Sequence, residues 1–402
     1  MGIIVQKYGG TSVSTESSRQ KVAKNAISAF NEGHQVVVVV SAMGRKGAPY
    51  ATDTLIGLYK EVINEHATRE LDLLMSCGET ISATVMAGTI RAHGVDSAAI
   101  TGFQAGIVTD DIHGDANVIE VKTDKILHHL KANRIVVVTG FQGITSSGDI
   151  TTLGRGGSDT TAAILGEALD ADAIEIYTDV DGVMTADPRL VPEAKVIGQI
   201  SYEECYQMAV DGAKVVDHKA VEVARRSGKI LKIKNTFKAC EGTTISRETA
   251  AIPKTMQPKI ITAIASKDNI VQFTINIPYD DDRNEAFLNA FEEAGVSMDL
   301  INFFEDQKIF TINEQDLGKA HDILNALDLE YTTLEDCCKL TAVGYKIHGV
   351  PGVMKRIVLS LTKAGIEILQ SGDSHTTIAC LIRKSSLEKA IQALHKEFQL
   401  ND

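Results

Sequence analysis

Two short glycine-rich segments carry the residues of this chain that are best suited to chemistry. They are VQKYGGTS at positions 5–12 and TTLGRGGSDTT at positions 151–161. Each has the pattern of a strand that runs into a glycine turn, followed by small hydroxyl residues that open a helix. Such turns expose backbone N–H groups to anions, and these two add the ammonium group of Lys7 and the guanidinium group of Arg155. Two anion-binding turns favour an enzyme that brings two anions together, with phosphoryl transfer as the leading reaction.

The two segments do not match the common nucleotide-binding motifs. The chain has no G-x-x-x-x-G-K-[ST] sequence, and no G-x-G-x-x-G follows a predicted strand. One glycine turn alone is typical of an ordinary strand–helix connection. The functional interpretation therefore depends on the two turns together and on the residues described below.

The composition limits the class of protein. A length of 402 residues predicts two or three domains. The formal net charge of −13 argues against nucleic-acid or membrane partners, which would favour a basic surface. An acidic enzyme that brings two anions together must concentrate its positive charge locally, and Lys7, Arg155, Arg189 and Lys214 are the candidates.

The cysteines and the apolar runs bear on localisation. Six cysteines are scattered without a C-x-x-C pair, which predicts reduced thiols in a cytosolic protein. The N-terminus leads directly into a strand pattern instead of a signal peptide. The longest apolar run, Val36 to Val40, is too short to span a bilayer. We therefore expect a cytoplasmic protein.

Residues 1–245 alternate between strand and helix patterns. Short apolar runs of this kind are typical of strands covered on both faces, as in a mainly parallel sheet. The predicted strands are 3–8, 36–41, 98–101, 135–140 and 173–178. The predicted helices are 18–33, 70–93 and 158–169, with Ser158 or Asp159 as the N-cap of the last. These patterns predict an α/β fold, a three-layer α/β/α sandwich.

A polar segment and two similar units follow. Residues 246–258 contain two prolines and are interpreted as a linker. Residues 259–335 and 336–402 each have a ferredoxin-like βαββαβ pattern, and AGVSMD at 294–299 is echoed by AGIEIL at 364–369. The units resemble a tandem of ACT domains, which are small amino-acid-binding modules. Ferredoxin-like units without a ligand are the alternative, and the connectivity of the two units stays open.

Four segments extend the resemblance over nearly the whole chain. KYGGTSV, TTLGRGGSD, YTDVDGVMTADPR and QSGDSHTTI begin at positions 7, 151, 177 and 370. They resemble the aspartokinases, amino-acid-kinase enzymes that phosphorylate aspartate, and most closely the short, monofunctional, diaminopimelate-sensitive type. The resemblance implies the transfer of phosphate from MgATP to L-aspartate. The product, 4-phospho-L-aspartate, opens biosynthesis of lysine, threonine, methionine and diaminopimelate.

The resemblance also implies roles for individual residues. Lys7 and Asp159 are the implied catalytic residues. The implied ATP contacts are Lys7, Gly9, Gly10, Ser41, Thr178, Asp179, Arg189 and Lys214. The implied aspartate contacts are Thr52, Glu79, Arg155 and Ser158. No residue is assigned as a ligand of the Mg²⁺ ion.

The chemistry of the substrate agrees with these roles. The aspartate side chain, with an ordinary pKa of about 3.9, is already ionised at neutral pH, so no protein base is needed. Arg155 can bind the α-carboxylate with its planar fork, and Glu79 can bind the α-ammonium group. Gly78, inside a predicted helix, costs up to about 1 kcal/mol relative to alanine, and we expect it to leave room for a ligand. A structural Glu79 paired with an arginine is the alternative.

The chain departs from the family pattern in two places. Val216-Asp217-His218-Lys219 replaces the usual His-Pro or Ser-Pro, and an acidic turn at 278–283 replaces the effector loop of the first unit. The second unit keeps GVPG at 349–352, so its expected effector is an amino acid such as diaminopimelate, lysine or threonine. The expected effector contacts are Gly349, Val350, Gly352, Ser371, Asp373 and His375.

Two other functions and the assembly complete the expectations. Another amino-acid kinase, such as glutamate 5-kinase, is the alternative within the enzymes. A non-catalytic amino-acid sensor is the alternative outside them, and the intact Lys7, Glu79, Arg155 and Asp159 argue against it. ACT units usually bury a face against a second copy, so we expect a homodimer or a larger homo-oligomer.

Overall fold

The computed structural model describes residues 2–63, 68–213, 215–247, 260–345 and 347–401. These residues form two compact units. The first lies within residues 1–183, 196–209 and 214–253, and the second within residues 184–195, 210–213 and 254–402. Most of the linker predicted at 246–258 lies outside the described residues.

The main sheet of the first unit confirms the predicted mainly parallel α/β fold. Its eight strands run in the order β10-β12-β11-β9-β1-β2-β6-β3, and among its pairs only β11–β12 is antiparallel. Their bounds are β1 Ile3–Tyr8, β2 Gln35–Val40, β3 Ser97–Ile100, β6 Ile135–Thr139, β9 Ala173–Thr178, β10 Gln199–Ser201, β11 Ile230–Asn235 and β12 Thr243–Ser246. All five predicted strands are present, and each lies within one residue of its expected start.

Helices cover both faces of this sheet. The helices are α1 Gly10–Val13, α2 Glu16–Asn31, α3 Thr52–Lys60, α4 Arg69–Ala92, α5 Asp124–Lys131, α6 Gly157–Ala168, α7 Tyr202–Val210 and α8 His218–Ser227. Alternate valines of β2, including Val36 and Val38, pack in one core with α2 and α4. On the opposite face Gly166 of α6 lies against Ile174 of β9. The valine run of β2 is fully buried because the strand has neighbours on both sides and helices on both faces.

A second, four-stranded sheet in this unit was not predicted from the sequence. Its order is β5-β4-β7-β8, with β4 Ile107–Thr109, β5 Val118–Val121, β7 Gln142–Thr145 and β8 Ile150–Thr152. The strands have only three or four residues each, too few to show a clear alternation of apolar and polar side chains. β8 leads directly into the second glycine turn.

Helix α4 combines high apolarity with a role in the core. Its 24 residues are long and apolar enough to cross a membrane by composition alone, but half of the apolar window is buried inside the unit. It packs against β3, β6 and β8. Its length and apolarity are therefore explained by its place as a core helix.

The second unit contains one six-stranded sheet with four helices. The order is β14-β15-β13-β16-β18-β17. The strands are β13 Ala263–Asn276, β14 Asp299–Phe303, β15 Gln307–Asn313, β16 Glu330–Val343, β17 Gln370–Asp373 and β18 Thr377–Arg383. The helices are α9 Arg283–Glu293, α10 Leu317–Ala326, α11 Val353–Lys363 and α12 Leu387–Glu397.

The long strands β13 and β16 show how the two repeats are connected. Residues 263–267 of β13 pair with 339–343 of β16, and that part of β16 also pairs with β18. Beyond an irregularity in the pairing, residues 270–276 of β13 pair with residues 330–337 of β16 on one side and with β15 on the other. The first repeat is thus inserted into the second, and the boundary expected at 335/336 falls inside the shared strand β16.

Residues 184–195 also differ from the expected domain boundaries. The sequence placed them in the first domain, but Ala186 and Val191 are buried in the core of the second unit with Ile264 and Leu340. Thr185 is held there by the backbone N–H of Ile264, which donates to its carbonyl. The pattern around these residues is short and mixed, so their place depends on tertiary packing.

Candidate active site

One cavity of the first unit gathers most of the residues predicted to bind the substrate. It has a volume of about 660 Å³, and we call it the central cavity. The predicted residues in its wall are Lys7, Ser41, Thr52, Glu79, Arg155, Ser158 and Asp159. They come from the ends of β1 and β2, from α3 and α4, and from the start of α6. Parallel strands end at one edge of the sheet, and ligand sites of α/β proteins form at this edge.

An ion pair joins the two predicted catalytic residues. The Lys7 ammonium nitrogen lies 2.5 Å from Oδ1 of Asp159, and about an eighth of each side chain is exposed. The other carboxylate oxygen of Asp159 accepts a hydrogen bond of 3.2 Å from the backbone N–H of Asp217. The structure therefore places Asp159 as the group that holds the Lys7 ammonium at the cavity.

The start of α6 corrects the predicted helix cap. The helix begins at Gly157 with Gly156 as its N-cap, whereas the sequence predicted Ser158 or Asp159. Gly156 has a φ of 75°, and a Cβ there would lie 2.0 Å from Oδ2 of Asp217. Only glycine tolerates both the positive φ and the close approach of Asp217 at this position. The helix therefore begins at Gly157, earlier than the predicted cap residues imply. The Asp159 side chain therefore faces Lys7 instead of capping the helix.

The first glycine turn interlocks with the loop that follows β2. Helix α1 begins at Gly10, with Gly9 as its N-cap. A Cβ on Gly10 would lie 2.6 Å from the carbonyl oxygens of both Ala42 and Gly44. The backbone N–H of Gly44 donates to the Gly10 carbonyl at 3.0 Å. Within the described residues, Gly9 and Gly10 do not line the central cavity. They fix the backbone beside Lys7.

Glu79 reaches the cavity as a buried carboxylate with a free oxygen. It is 2% exposed. Its Oε1 accepts a hydrogen bond of 3.0 Å from the backbone N–H of Ala42. Its Oε2 is buried without a hydrogen-bond partner in the described part of the chain. Burial raises the pKa of Glu79 to about 7, although the Ala42 N–H opposes this rise.

Gly78 has a different role from the one expected. A Cβ there would lie 2.8 Å from the carbonyl oxygen of Tyr50 and 2.9 Å from Cβ of Ala42. The glycine therefore makes room for the loop after β2, not for a ligand. This close approach lets the Ala42 N–H reach Glu79, so the glycine serves the site indirectly.

Arg155 is a further charged side chain of the cavity wall that has no ion-pair partner among the described residues. It lies between Gly154 and Gly156, both with positive φ, and its side chain is exposed. No ion pair or hydrogen bond holds its guanidinium among the described residues. No arginine pairs with Glu79 within that part either, so the alternative of a purely structural Glu79–arginine pair has no support.

The predicted nucleotide segment forms its own cluster at the end of β9. Asp179 lies 3.1 Å from an Arg45 nitrogen. Asp181 accepts a hydrogen bond of 2.7 Å from the Asn235 side chain, and the Lys238 ammonium lowers its pKa. Thr178 and Asp179 lie at this strand end, outside the described cavity wall.

Arg189 and Lys214 are the remaining predicted ATP contacts. Arg189 lies in the second unit, where its guanidinium forms a two-pronged ion pair with Asp187 that holds the pKa of that carboxyl below its usual range. It is absent from the cavity wall. Lys214 lies outside the described residues.

The unusual 216–219 segment has a clear structural role. Asp217 is the N-cap of α8, because its side chain accepts a hydrogen bond of 2.9 Å from the backbone N–H of Lys219. The Lys219 ammonium lies 2.6 Å from Asp115. Asp217 thus starts α8, and its own N–H supports Asp159.

Several cavity residues were not predicted from the sequence. His113, Phe141 and Lys60 line the wall, and Asp72 lies buried behind it. Asp72 and Glu79 are spaced by seven residues on a mainly apolar helix, so both must face the same side. That spacing is the signal that could have identified Asp72.

The predicted effector residues of the second unit lie close together. The His348 ring nitrogen lies 3.3 Å from Asp373, and the His348 N–H donates to the His375 carbonyl. Gly352, with a φ of 91°, starts α11 without a side-chain cap, so the first N–H groups of that helix stay open to an anion. The Val350 N–H is already bonded to the Ile347 carbonyl. Ser371 lies in β17, two residues before Asp373.

One aspartate of the acidic turn of the first repeat is paired within the turn itself. Arg283 makes a two-pronged ion pair with Asp281 and lowers the pKa of that carboxyl to about 2. The Asn284 side chain donates to three carbonyls of the turn. This turn is therefore filled by its own side chains.

Comparisons with known proteins agree with this arrangement. Residues 2–235 match the amino acid kinase family, and residues 332–396 match the ACT domain. The chain is 43% identical to aspartokinase 1 of Bacillus subtilis over the full length of both, and 37% identical to the aspartokinase of Geobacillus stearothermophilus, over all of this chain and 98% of that protein.

A solved structure shows the same likeness. The chain superposes on aspartokinase III of E. coli, crystallised with aspartate and ADP, with a TM-score of 0.81 and 25% identity, over 98% of this chain and 99% of that one. The matches extend over both units of the chain. The chain therefore belongs to the amino acid kinase family, and within it to the aspartokinases.

Proposed function

We propose that the central cavity holds L-aspartate for phosphorylation, with Glu79 and Arg155 as the two ends of an amino-acid clamp. The chain transfers the γ-phosphoryl group of ATP to the side-chain carboxylate of L-aspartate and is regulated through its ACT domains. One observation carries the site assignment. Two unpaired groups of opposite charge line the same cavity as the Lys7–Asp159 pair.

The clamp matches the two charged groups on the α-carbon of an amino acid. The free Oε2 of Glu79 accepts a hydrogen bond from the α-ammonium group, which then compensates the buried carboxylate. The planar guanidinium of Arg155 donates two parallel hydrogen bonds to the α-carboxylate. With Thr52 and Ser158 as further contacts, the side-chain carboxylate is left to face the phosphate.

The transfer step needs positioning and positive charge. An oxygen of the substrate carboxylate attacks the γ-phosphorus, and the bond from that phosphorus to the bridging oxygen of ADP breaks. The carboxylate is already ionised, so no proton has to be removed. The Lys7 ammonium stabilises the negative charge on the transferring group, and Asp159 fixes that ammonium in place.

ATP is assigned to the strand ends beside the cavity. The turn at Gly9 and Gly10, together with Ser41, would receive the phosphates, and Thr178 and Asp179 the nucleoside; Arg189 and Lys214 are the further proposed contacts. E. coli aspartokinase III, which is similar over nearly its whole length, was crystallised with aspartate and ADP.

Mg²⁺ is proposed to arrive on the ATP phosphates. No cluster of three or more metal-ligating side chains occurs in the described ranges. A Mg²⁺ ion on a nucleotide needs only one or two carboxylates besides phosphates and water, so the residues present fit this mode. Asp159, next to Lys7 in the cavity wall, is the carboxylate suited to it. The ion would neutralise phosphate charge during transfer.

Changing Arg155 to lysine tests the clamp. Arg155→Lys keeps the charge but loses the planar fork, so we expect the KM for aspartate to rise roughly tenfold, with less change in the KM for ATP. Steady-state kinetics with each substrate varied in turn measures both values. Arg134→Lys, at a half-buried arginine that pairs with Asp96 outside the cavity wall, is the control.

The same experiment separates the alternatives. A larger rise in the KM for ATP than for aspartate would contradict the assignment of Arg155. Assays of ATP consumption with aspartate, glutamate and acetylglutamate distinguish an aspartate kinase from another amino-acid kinase. No consumption with any of the three would favour a non-catalytic sensor.

The effector is proposed to bind in the second repeat, at the loop before α11. The open N–H groups that follow Gly352 suit a carboxylate, and Asp373 with His375 offers acceptors for an ammonium group. An amino acid with two charged ends, such as diaminopimelate, fits both; lysine and threonine are the other candidates. Such an effector inhibits only by binding the inactive arrangement more tightly, and a hundredfold preference corresponds to about 2.7 kcal/mol.

Substitutions at Asp373 and His375 should relieve this inhibition. We expect Asp373→Ala and His375→Ala to raise the inhibitory concentration of the effector roughly tenfold or more, with uninhibited kcat unchanged. Titration with diaminopimelate, lysine, threonine and methionine at fixed aspartate measures this. Unchanged curves in both variants, or no inhibition of the wild type by any of the four, would contradict the placement.

Localisation and assembly are the remaining proposals. We propose a cytoplasmic enzyme that forms a homodimer or larger homo-oligomer. Exposed apolar side chains support the assembly, for example Met354, Val358 and Leu359 on α11. Analytical ultracentrifugation of the purified chain measures the number of copies, and a stable monomer would contradict the proposal.

A further inference from the structure

Asp72 is a buried carboxylate of the first unit to which the proposed mechanism gives no role. It lies on α4, two turns before Glu79, and is completely buried. Its Oδ2 accepts hydrogen bonds of 3.0 Å from the Gly114 N–H, the Thr152 N–H and Nδ1 of His113. Its Oδ1 accepts one of 2.6 Å from the Thr152 hydroxyl. Four donors on one buried carboxylate make a fully satisfied network, which holds every donor in place.

The loop that carries His113 is anchored at several points. It joins β4 to β5, and Asp110 at its base accepts hydrogen bonds from the backbone and the side chain of Asn117 at 3.0 and 2.8 Å. The Ala116 N–H donates to the Thr152 carbonyl at 2.8 Å. With Asp72 beneath it, the loop presents His113 in one fixed orientation.

One nitrogen of the His113 ring remains available to the cavity. The Nδ1 nitrogen donates to Asp72, because an ionised carboxylate can only accept. Within the described residues Nε2 has no hydrogen-bond partner, and His113 lines the central cavity with 18% of its side chain exposed. The ring therefore has the arrangement of an imidazole oriented by a carboxylate behind it.

The position of the 113–115 segment indicates which part of the proposed substrate lies near His113. A Cβ on Gly154 would lie 2.1 Å from Oδ1 of Asp115, so the 113–115 segment packs directly on the turn that carries Arg155. Gly114, Asp115, Gly154 and Arg155 line the same cavity. His113 and Arg155 thus share one end of the cavity.

We propose that His113 binds the α-carboxylate of aspartate together with Arg155, and that Asp72 is the positioning residue that orients the ring. A carboxylate has about four lone-pair sites, and the Arg155 fork uses two of them. With a proton on both ring nitrogens, Nε2–H supplies a further donor, and the Asp72 carboxylate lies 3.0 Å from the other nitrogen. This inference rests on the proposed aspartate site and adds a residue to it.

Two substitutions of His113 separate binding from a structural role. His113→Asn keeps an amide nitrogen at the place of Nδ1, and therefore the bond to Asp72, but loses the Nε2 group. His113→Gln places an amide nitrogen near Nε2 instead. We expect the asparagine variant to raise the KM for aspartate about tenfold and the glutamine variant about threefold or less, with the KM for ATP within about twofold of wild type in both.

A substrate analogue tests the contact with the carboxylate itself. The α-amide of L-aspartate keeps the reacting side-chain carboxylate but lacks the α-carboxylate charge. The wild type should prefer aspartate over this amide, and the preference should shrink about tenfold in His113→Asn if a hydrogen bond to a charged group is lost. His128→Gln, at a histidine outside the cavity wall, is the control.

Each outcome decides between the possibilities. A glutamine variant that is impaired more than the asparagine variant would show that the ring serves only its tether to Asp72, and would overturn the proposal. An unchanged preference for aspartate over its amide would overturn it as well. If Arg155→Lys still raises the KM for aspartate, the clamp survives and only the role of His113 fails; if neither residue affects it, the aspartate site itself is wrong.

Discussion

Lys7→Ala is expected to fold and to lose nearly all turnover. The Lys7 ammonium is the cation paired with Asp159 in the cavity wall. Its removal leaves negative charge on the transferring phosphoryl group without its proposed partner. By comparison with single donors at oxyanion sites, the loss should raise the barrier by roughly 3–5 kcal/mol, a fall in kcat of roughly a hundredfold to several thousandfold.

Stability must be measured alongside activity in this experiment. Removing one member of a largely buried ion pair leaves Asp159 without its partner and lowers the free energy of unfolding. Circular dichroism and thermal unfolding report the fold. Lys7→Arg, which keeps the positive charge, should lose less activity than the alanine variant if charge is what matters. Lys24→Ala, an exposed lysine on α2, controls for loss of surface charge. A folded Lys7→Ala protein with near wild-type kcat would remove Lys7 from the mechanism.

Glu79→Gln is expected to weaken aspartate binding and to stabilise the fold. Glutamine keeps the oxygen that accepts from Ala42 but loses the charge that would hold the α-ammonium group. Hydrogen bonds to charged groups contribute about 1.5–3 kcal/mol, so the KM for aspartate should rise roughly tenfold to a hundredfold. The KM for ATP should change much less, since Glu79 is assigned to the amino acid.

The pKa of Glu79 adds a dependence on pH. With a pKa of about 7, the free enzyme protonates Glu79 as the pH falls from 8 to 6, so the KM for aspartate should rise over that range. The Glu79→Gln variant should lack this rise. Kinetics of both proteins at pH 6, 7 and 8 compare the two profiles. Parallel profiles would show that another group controls aspartate binding.

The same shift predicts the effect on stability. The pKa of Glu79 is about 7 in the folded protein, above its ordinary value of 4.5, so between these values the folded state binds more protons than the unfolded state. The free energy of unfolding should therefore fall as the pH rises through this window, by about 3 kcal/mol in total. At pH 8 the glutamine variant should be more stable than wild type by up to that amount. Denaturant unfolding at pH 5 and pH 8 tests the sign, and a variant less stable than wild type at pH 8 would contradict it.

Several parts of the fold and the site were predictable from the sequence. The glycine turns around Lys7 and Arg155, the apolar strands such as Val36–Val40 and the paired repeats all depend on residues close together in the chain. Local patterns of this kind report the backbone conformations that glycine allows and the faces that apolar side chains must bury. The family resemblance depended on the same short segments, which is why the fold class and the reaction were predicted correctly.

Other features depended on which segments meet in space. Glu79 has a raised pKa and a free oxygen only because the loop after β2 approaches Gly78 and covers the carboxylate. The Asp72 network joins residues 80 positions apart in the sequence. Strand β13 is shared by the two repeats, and its pairing with β16 spans a similar separation in the sequence. No local propensity encodes such contacts. They follow from the packing of whole elements, because burial and hydrogen-bond satisfaction are settled only when distant segments come together. The sequence alone thus determined the residue types of the site and its class of chemistry, while the tertiary structure decided which of those residues are buried, paired or free to bind a ligand.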